Sequence, residues 1–324
     1  MMLRFVAKRM VSMVLVMFAI SVLVFLIFFA TPGVDPAARI AGRNADQATL
    51  RAVRHDFGLD RPMPVQYALL MKKLFITRDL TSYINRGAKV VPQVEEAAPV
   101  TLSLVLGAAL IWVVTSIVMG VLAAVFRGSS IDVMLMVIGL IGISMPVFWL
   151  GEVVNLLSQS RFHDTFLFSW VPPLGYTPLT ESPFGWFKSL LLPWLTLAVL
   201  YAGIYARILR SSMIEAQEQD YVRTAYAKGL TERRVVLRHS LRMSLIAYFS
   251  LFGLDFGALV GGAALLTEVV FGLHGIGKLT YDSLQNFDLP VIMACVMYAA
   301  FFVVVANAMV DLLYAWLDPR VRIA

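Results

Sequence analysis

Six long apolar runs divide this chain, at about 10–31, 99–126, 132–158, 188–207, 244–271 and 289–316. Each is near or above the ~20 residues that carry a helix across a bilayer. In hydrocarbon every backbone N–H and C=O needs a partner within the segment, which for runs of this length means the α-helix. Composition agrees: 59% of the side chains are hydrophobic and 15% charged, where soluble domains carry about 25% charged residues. The expected fold class is an all-α membrane protein with six transmembrane helices. The first run follows Arg4, Lys8 and Arg9, as a secretory leader would. Its length exceeds the ~7–15 residues of a leader's apolar core, and Ala30-Thr31-Pro32 is a poor cleavage site. An uncleaved first helix is therefore expected.

Lysine and arginine set the orientation. With the N-terminus inside, the inner segments hold Arg4, Lys8, Arg9, Arg127, Arg320, Arg322 and eight basic residues from Arg207 to Arg242. The short outer loops hold Arg161, Lys188 and Lys278. Both termini are thus expected in the cytosol. The +6 net charge gathers at membrane edges, so no nucleic-acid partner is expected, and the lone Cys295 allows no internal disulfide.

Four regions follow. Residues 1–31 form a cytosolic N-terminus and first helix, and 32–98 a small helical external subdomain. Residues 99–316 form a five-helix core with a cytosolic loop at 207–243, and 317–324 a cytosolic tail. In the external part, 47–57 reads as a helix stopped by Gly58, and Arg61-Pro62-Met63-Pro64 opens a second helical stretch to about Phe75. The outer loop 159–187 carries four prolines with Trp170, Tyr176 and Trp186, which suits a loop at the membrane surface. Pro193 is expected to kink span four, and Asp288 to cap span six.

The loop 207–243 has readable punctuation. Asp220 reads as the cap of a short helix 221–228, with Gly229 as its left-handed stop. Thr231 reads as the cap of a second helix that carries Arg234, Arg238 and Arg242 into span five. The short helix is expected to present Tyr221, Val222, Ala225 and Tyr226 beside Arg223 and Lys228, a surface suited to a cleft in a partner. The alternative is a solvated connector that obeys the charge rule.

Residues 211–246, with Asp220-Tyr221-Val222-Arg223-Thr224-Ala225-Tyr226-Ala227-Lys228-Gly229-Leu230 at their centre, resemble the conserved loop of the dipeptide/oligopeptide/nickel permease family of ABC importers. The likeness extends along the chain in order, through Thr31–Pro36, Phe57–Pro62, Ser144–Trp149, Asp311–Tyr314 and Asp318–Arg322. Two departures stand out: Met243 and Ala247 replace a usual Asn and Pro at the loop's exit, and Arg78–Ser82 replaces a glycine-containing external motif. The resemblance implies a type I ABC importer permease fold in a bacterial inner membrane. It implies a coupling helix that docks on an ATPase, with Glu215, Asp220, Tyr221, Arg223, Thr224, Ala225, Ala227, Lys228 and Gly229 at the contact. It also implies a homologous second permease, two ATPase subunits that hold ATP and Mg, an external solute-binding protein and a peptide substrate. This chain itself would bind no cofactor and catalyse no reaction.

Other features carry two readings each. Gly253, Gly257 and Gly261 give span five a small-residue face, for static packing or for sliding. Asp255 is an intramembrane acid, for the translocation pathway or a permease interface on one side and for structure on the other. Met145, Phe148 and Trp149 beside Pro146 are ordinary packing or a constriction of the pathway. Glu268 is expected to bond the following glycine turn. Gly272–Leu279 nearly matches a phosphate-binding loop, but Leu279 stands where a hydroxyl must reach magnesium and the segment lies outside. His55-Asp56 and His163-Asp164 read as solvated pairs rather than catalytic ones. The rivals to a peptide importer are a nickel or small-solute importer of the same family and a proton-coupled secondary transporter using Glu152 and Asp255. A membrane-embedded hydrolase lacks clustered ligands or nucleophiles.

Overall fold

The computed structural model describes residues 2–29, 37, 47–56, 58–85 and 87–317. The expected motifs at 31–36 and 318–322, and Phe57, lie outside these residues, as does the C-terminal tail. The helices in chain order are α1 (Met2–Phe29), α2 (Gln47–Asp56), α3 (Met63–Met71), α4 (Val90–Val125), α5 (Ser130–Ser144) and α6 (Val147–Leu156). They continue with α7 (Pro183–Gln217), α8 (Asp220–Ala227), α9 (Glu232–Val235), α10 (Leu241–Ala258), α11 (Leu265–Val270), α12 (Ile276–Asn286) and α13 (Leu289–Leu317). Five helical segments are individually long and apolar enough to cross a membrane, and the bent pair α5–α6 makes a sixth span.

Spans two, three and five show how the helices depart from their apolar runs. Span two begins at Val90, nine residues before the run, because helix does not stop where apolarity does. Pro92 sits in the first turn, where its missing N–H costs nothing, and Pro99 lies inside the helix. Span three is not one bent helix. Its two halves meet at 91° around Met145-Pro146. Met145 is extended, at φ −95° and ψ 123°, as a residue before proline prefers. Span five passes through a wide π-turn at Leu259–Ala263 and breaks at Gly262, whose φ of 112° suits glycine. The outer connection from there to span six is not a bare turn, since it holds α11 and α12.

Helix α7 is the axis of the bundle. It runs unbroken through Pro193, and α4, α5 and α10 all pack along it. Small residues permit the approach: a side chain at Gly139 would start 3.3 Å from the Gly203 Cα, and one at Gly142 would meet Val199 at 2.9 Å. Trp194 fills the space that Gly107 leaves, and its indole N–H donates to the Ser103 carbonyl at 2.9 Å. Between bilayer-immersed helices, such close contacts replace the hydrophobic drive that lipid removes. Trp112, Tyr205, Leu209, Met213 and Tyr248 are fully buried in the resulting core.

The segment between spans one and two is tied to the bundle at two points. Tyr67 on α3 lies edge-on to Phe25 of α1 at 5.4 Å, and its hydroxyl pairs with that of Ser21 at 2.6 Å. The Asp288 side chain, expected as the cap of span six, reaches instead to the loop before span two, and it is the Asp288 backbone carbonyl that accepts from the Ile292 N–H, at 3.0 Å. The carboxylate accepts from the Tyr83 backbone N–H at 3.0 Å and from the Ser82 hydroxyl. Burial, with this carboxylate nearby, pushes the Tyr83 phenol well above its usual pKa.

Candidate functional site

The loop between spans four and five is built from α8 and its stop. Gln219 rather than Asp220 precedes the helix, and no side chain caps it. Asp220 instead stands in the first turn, where a negative charge suits the helix dipole. At the other end the Gly229 N–H donates to the Tyr226 carbonyl at 2.9 Å and the Leu230 N–H to the Ala225 carbonyl at 3.3 Å. This pair of bonds is a Schellman stop, and it requires Gly229 at φ 75°. Thr231 precedes α9 as expected, without a side-chain bond to it.

The helical period then sorts the residues. Val222 (1% exposed) and Ala225 (5%) turn inward against Val235 and Leu230. The expectation that these two face a partner is corrected: residues three apart share a face, and theirs is the inner one. Tyr221 (40%) and Tyr226 (47%) are exposed. With them, Glu215, Asp220, Arg223, Thr224, Ala227, Lys228 and Gly229 lie on the open surface. The result is an apolar-backed plate with two aromatic rings and mixed charge outside.

An ion pair beneath this plate escaped the sequence reading. Arg210, toward the C-terminal end of α7, grips buried Asp132 of α5 through two nitrogens, at 2.6 and 2.7 Å. The same carboxylate accepts from the Gly128 N–H at 2.9 Å, and Ser129 accepts from the Asp132 N–H at 3.4 Å. Arg127 reaches Glu218 at 3.1 Å on the exposed rim. The base of the loop is thereby locked to the turn between spans two and three. Ser129-x-x-Asp132 before an apolar run is a capping-box pattern that could have flagged the carboxylate. Nothing in the sequence marked Arg210 as its partner rather than as one more inner charge.

Within the span region, Tyr205 donates to Asp255 at 2.7 Å, linking α7 to α10. Tyr248 and Ser116 pair their hydroxyls at 2.7 Å, linking α10 to α4. The glycine face of α10 meets α13: a side chain at Gly257 would start 2.8 Å from Ala306 Cβ, and one at Gly261 3.2 Å from Val303. Gly253 is buried on the same helix. Phe148, Trp149 and Glu152 are exposed on α6, with Met145 partly buried at the break. That helix packs on α7 and α11, whereas Asp255's helix packs on α7, α4 and α13.

In the connection between spans five and six, Glu268 is fully buried and accepts from the Thr101 hydroxyl at 2.6 Å and the Lys278 N–H at 2.9 Å. Thr101 in turn accepts from the Ile276 N–H at 2.8 Å. The carboxylate lies against the position a side chain would take at Gly275. Glu268 thus bonds the glycine turn as expected. The turn's glycines approach a carboxylate, which would repel a phosphate.

Multiple apolar spans, a locked corner and an exposed amphipathic plate define a multi-pass helical membrane protein. The chain belongs to the family described as binding-protein-dependent transport system inner membrane component, whose model matches residues 116–323. The model for the N-terminal part of such membrane components matches residues 2–105. Similar relatives include a protein of Brucella melitensis biotype 1 named as a peptide transport system permease, 38% identical over 322 residues, 99% of each chain. The glutathione transport system permease protein of Salmonella paratyphi A is 37% identical over 325 residues, 99% of each chain. A protein of Escherichia coli K12 named for D,D-dipeptide transport is 36% identical over 329 residues, covering 97% of this chain and 96% of its own. The protein is an inner-membrane ABC importer permease of the type I fold.

Proposed function

We propose that this permease imports di- or oligopeptides. The names of its relatives, at 36–38% identity over nearly their whole length, support the substrate class. In this reading it forms half of a translocation pathway against a homologous second permease and takes its cargo from an external solute-binding protein. Two cytosolic ATPases hold ATP and Mg, and both termini lie in the cytosol. The exposed plate of α8 is the coupling surface, and Glu215, Asp220, Tyr221, Arg223, Thr224, Ala227, Lys228 and Gly229 are its contacts, with Ala225 behind them. Closure of the ATPase pair moves the plate. The Arg210–Asp132 pair passes that motion to spans three and four, and alternating access follows.

The single observation that carries this reading is a helix whose apolar side is satisfied by its own neighbours while Tyr221 and Tyr226 stay exposed. Purification from native membranes in mild detergent tests it. Recovery of a second permease with ATPase subunits is expected. Recovery of this chain alone, in several detergents, would overturn the importer reading.

A further inference from the structure

Asp255 sits at the edge of the open face of α10. Leu251, Leu254 and Ala258 around it are exposed, while Gly257 and Gly261 turn the other way, onto α13. The carboxylate is half-buried and receives one hydrogen bond, from Tyr205 to Oδ2. No lysine or arginine among the described residues pairs with it. Aromatic rings flank it along the same helix. Phe252 stacks on Phe256 at 5.6 Å, Phe252 leans on Trp112 at 5.3 Å, and Trp112 stacks on Tyr201 at 4.7 Å.

An acid at membrane depth is costly and needs a partner or a wet cavity. One phenol hydroxyl leaves most of a carboxylate's acceptor capacity unused. Aromatic faces attract cations and give nothing to anions. A carboxylate held by a tyrosine at the rim of an aromatic cluster is therefore chemically suited to a primary ammonium group. Every unmodified peptide carries one at its N-terminus, whatever its side chains. That group, with a pKa of about 8, is mostly protonated at neutral pH. A single carboxylate on a half-exposed face also binds weakly enough to release what it holds, as a pathway requires.

We propose that Asp255, oriented by Tyr205 beside the Phe252–Phe256 aromatic face, is the subsite that receives the α-ammonium group of a peptide in transit. This deepens the peptide-importer reading and rests on it.

The test uses the complete complex in proteoliposomes, with trialanine and Ala-Lys-Ala as cargo and ATP hydrolysis measured in parallel. Asp255→Asn keeps the hydrogen bond from Tyr205 but removes the charge. It should lower uptake of both peptides about tenfold or more, the effect of losing a hydrogen bond between charged groups. Binding-protein-stimulated ATP hydrolysis should persist, and Asp255→Glu should recover much of the uptake. Unchanged uptake in Asp255→Asn would overturn the proposal, as would a loss confined to Ala-Lys-Ala, which assigns the site to a side-chain ammonium. Loss of the second permease from purified Asp255→Asn complex would also overturn it, by giving the carboxylate to the permease interface. If the unaltered complex takes up neither peptide, the peptide reading itself fails, which is a distinct result.

Discussion

At the scale of single residues, one buried acid stands out for what it joins. Asp132 accepts from two of the three nitrogens of Arg210 and from the Gly128 N–H, so three bonds converge on one carboxylate. Asp132→Ala would leave the Arg210 guanidinium half-buried and unpaired, at a cost of about 2–3 kcal/mol. A lower melting temperature of the detergent-purified protein is the expected outcome. An unchanged melting temperature would remove the pair from the account of the corner. Gly203→Ala tests close approach instead, since the new methyl would strike the Gly139 backbone. Overpacking of this kind costs about 1–3 kcal/mol, and a fall in folded yield measured by size-exclusion chromatography checks it. The capping pattern at Ser129 and Asp132 was local and readable, but neither the pairing with Arg210 nor the glycine contact was legible in advance. Gly139 and Gly203 lie 64 residues apart, and only the crossing of α5 over α7 brings them together.

At the scale of elements, the loop's glycine stop is the most exacting piece. Proline at 229 could not adopt φ 75° and would lose the N–H that bonds Tyr226. Gly229→Pro is expected to insert normally, shown by protease protection, yet to uncouple ATP hydrolysis from uptake. Undiminished uptake would count against a docking role for α8. This element was largely readable, because glycine after a short amphipathic run is a local signal. Which face turned out was not readable, because Val235 and Leu230, beyond the helix, decide it. The same distinction holds in the spans. Apolar length marked where chain crosses lipid, and Pro146 marked a bend. The 91° angle comes from packing of α6 against α7 and α11, which no local pattern encodes.

At the scale of the whole molecule, the chain presents two surfaces and a connection between them. The plate of α8 follows a corner locked by Asp132 and Arg210. The glycine turn before α12 is held by Glu268 and Thr101, and the loop before span two by Asp288 with Tyr83. Both surfaces are therefore tied to the spans by buried side-chain bonds. Coupling in the proposed function rests on an ATPase that grips the plate of α8. That grip can be measured directly by cross-linking. The native Cys295 is buried, so a Tyr226→Cys variant carries its exposed thiol on the plate. A short bifunctional thiol reagent in native membranes should join this position to a cytosolic ATPase subunit, with a yield that changes on adding ATP. The control is Tyr281→Cys on α12, which is also exposed and which the proposed orientation puts on the far side of the membrane. An ATPase adduct from Tyr226→Cys alone is the predicted result. No adduct at position 226 in a complex that still hydrolyses ATP would contradict the account.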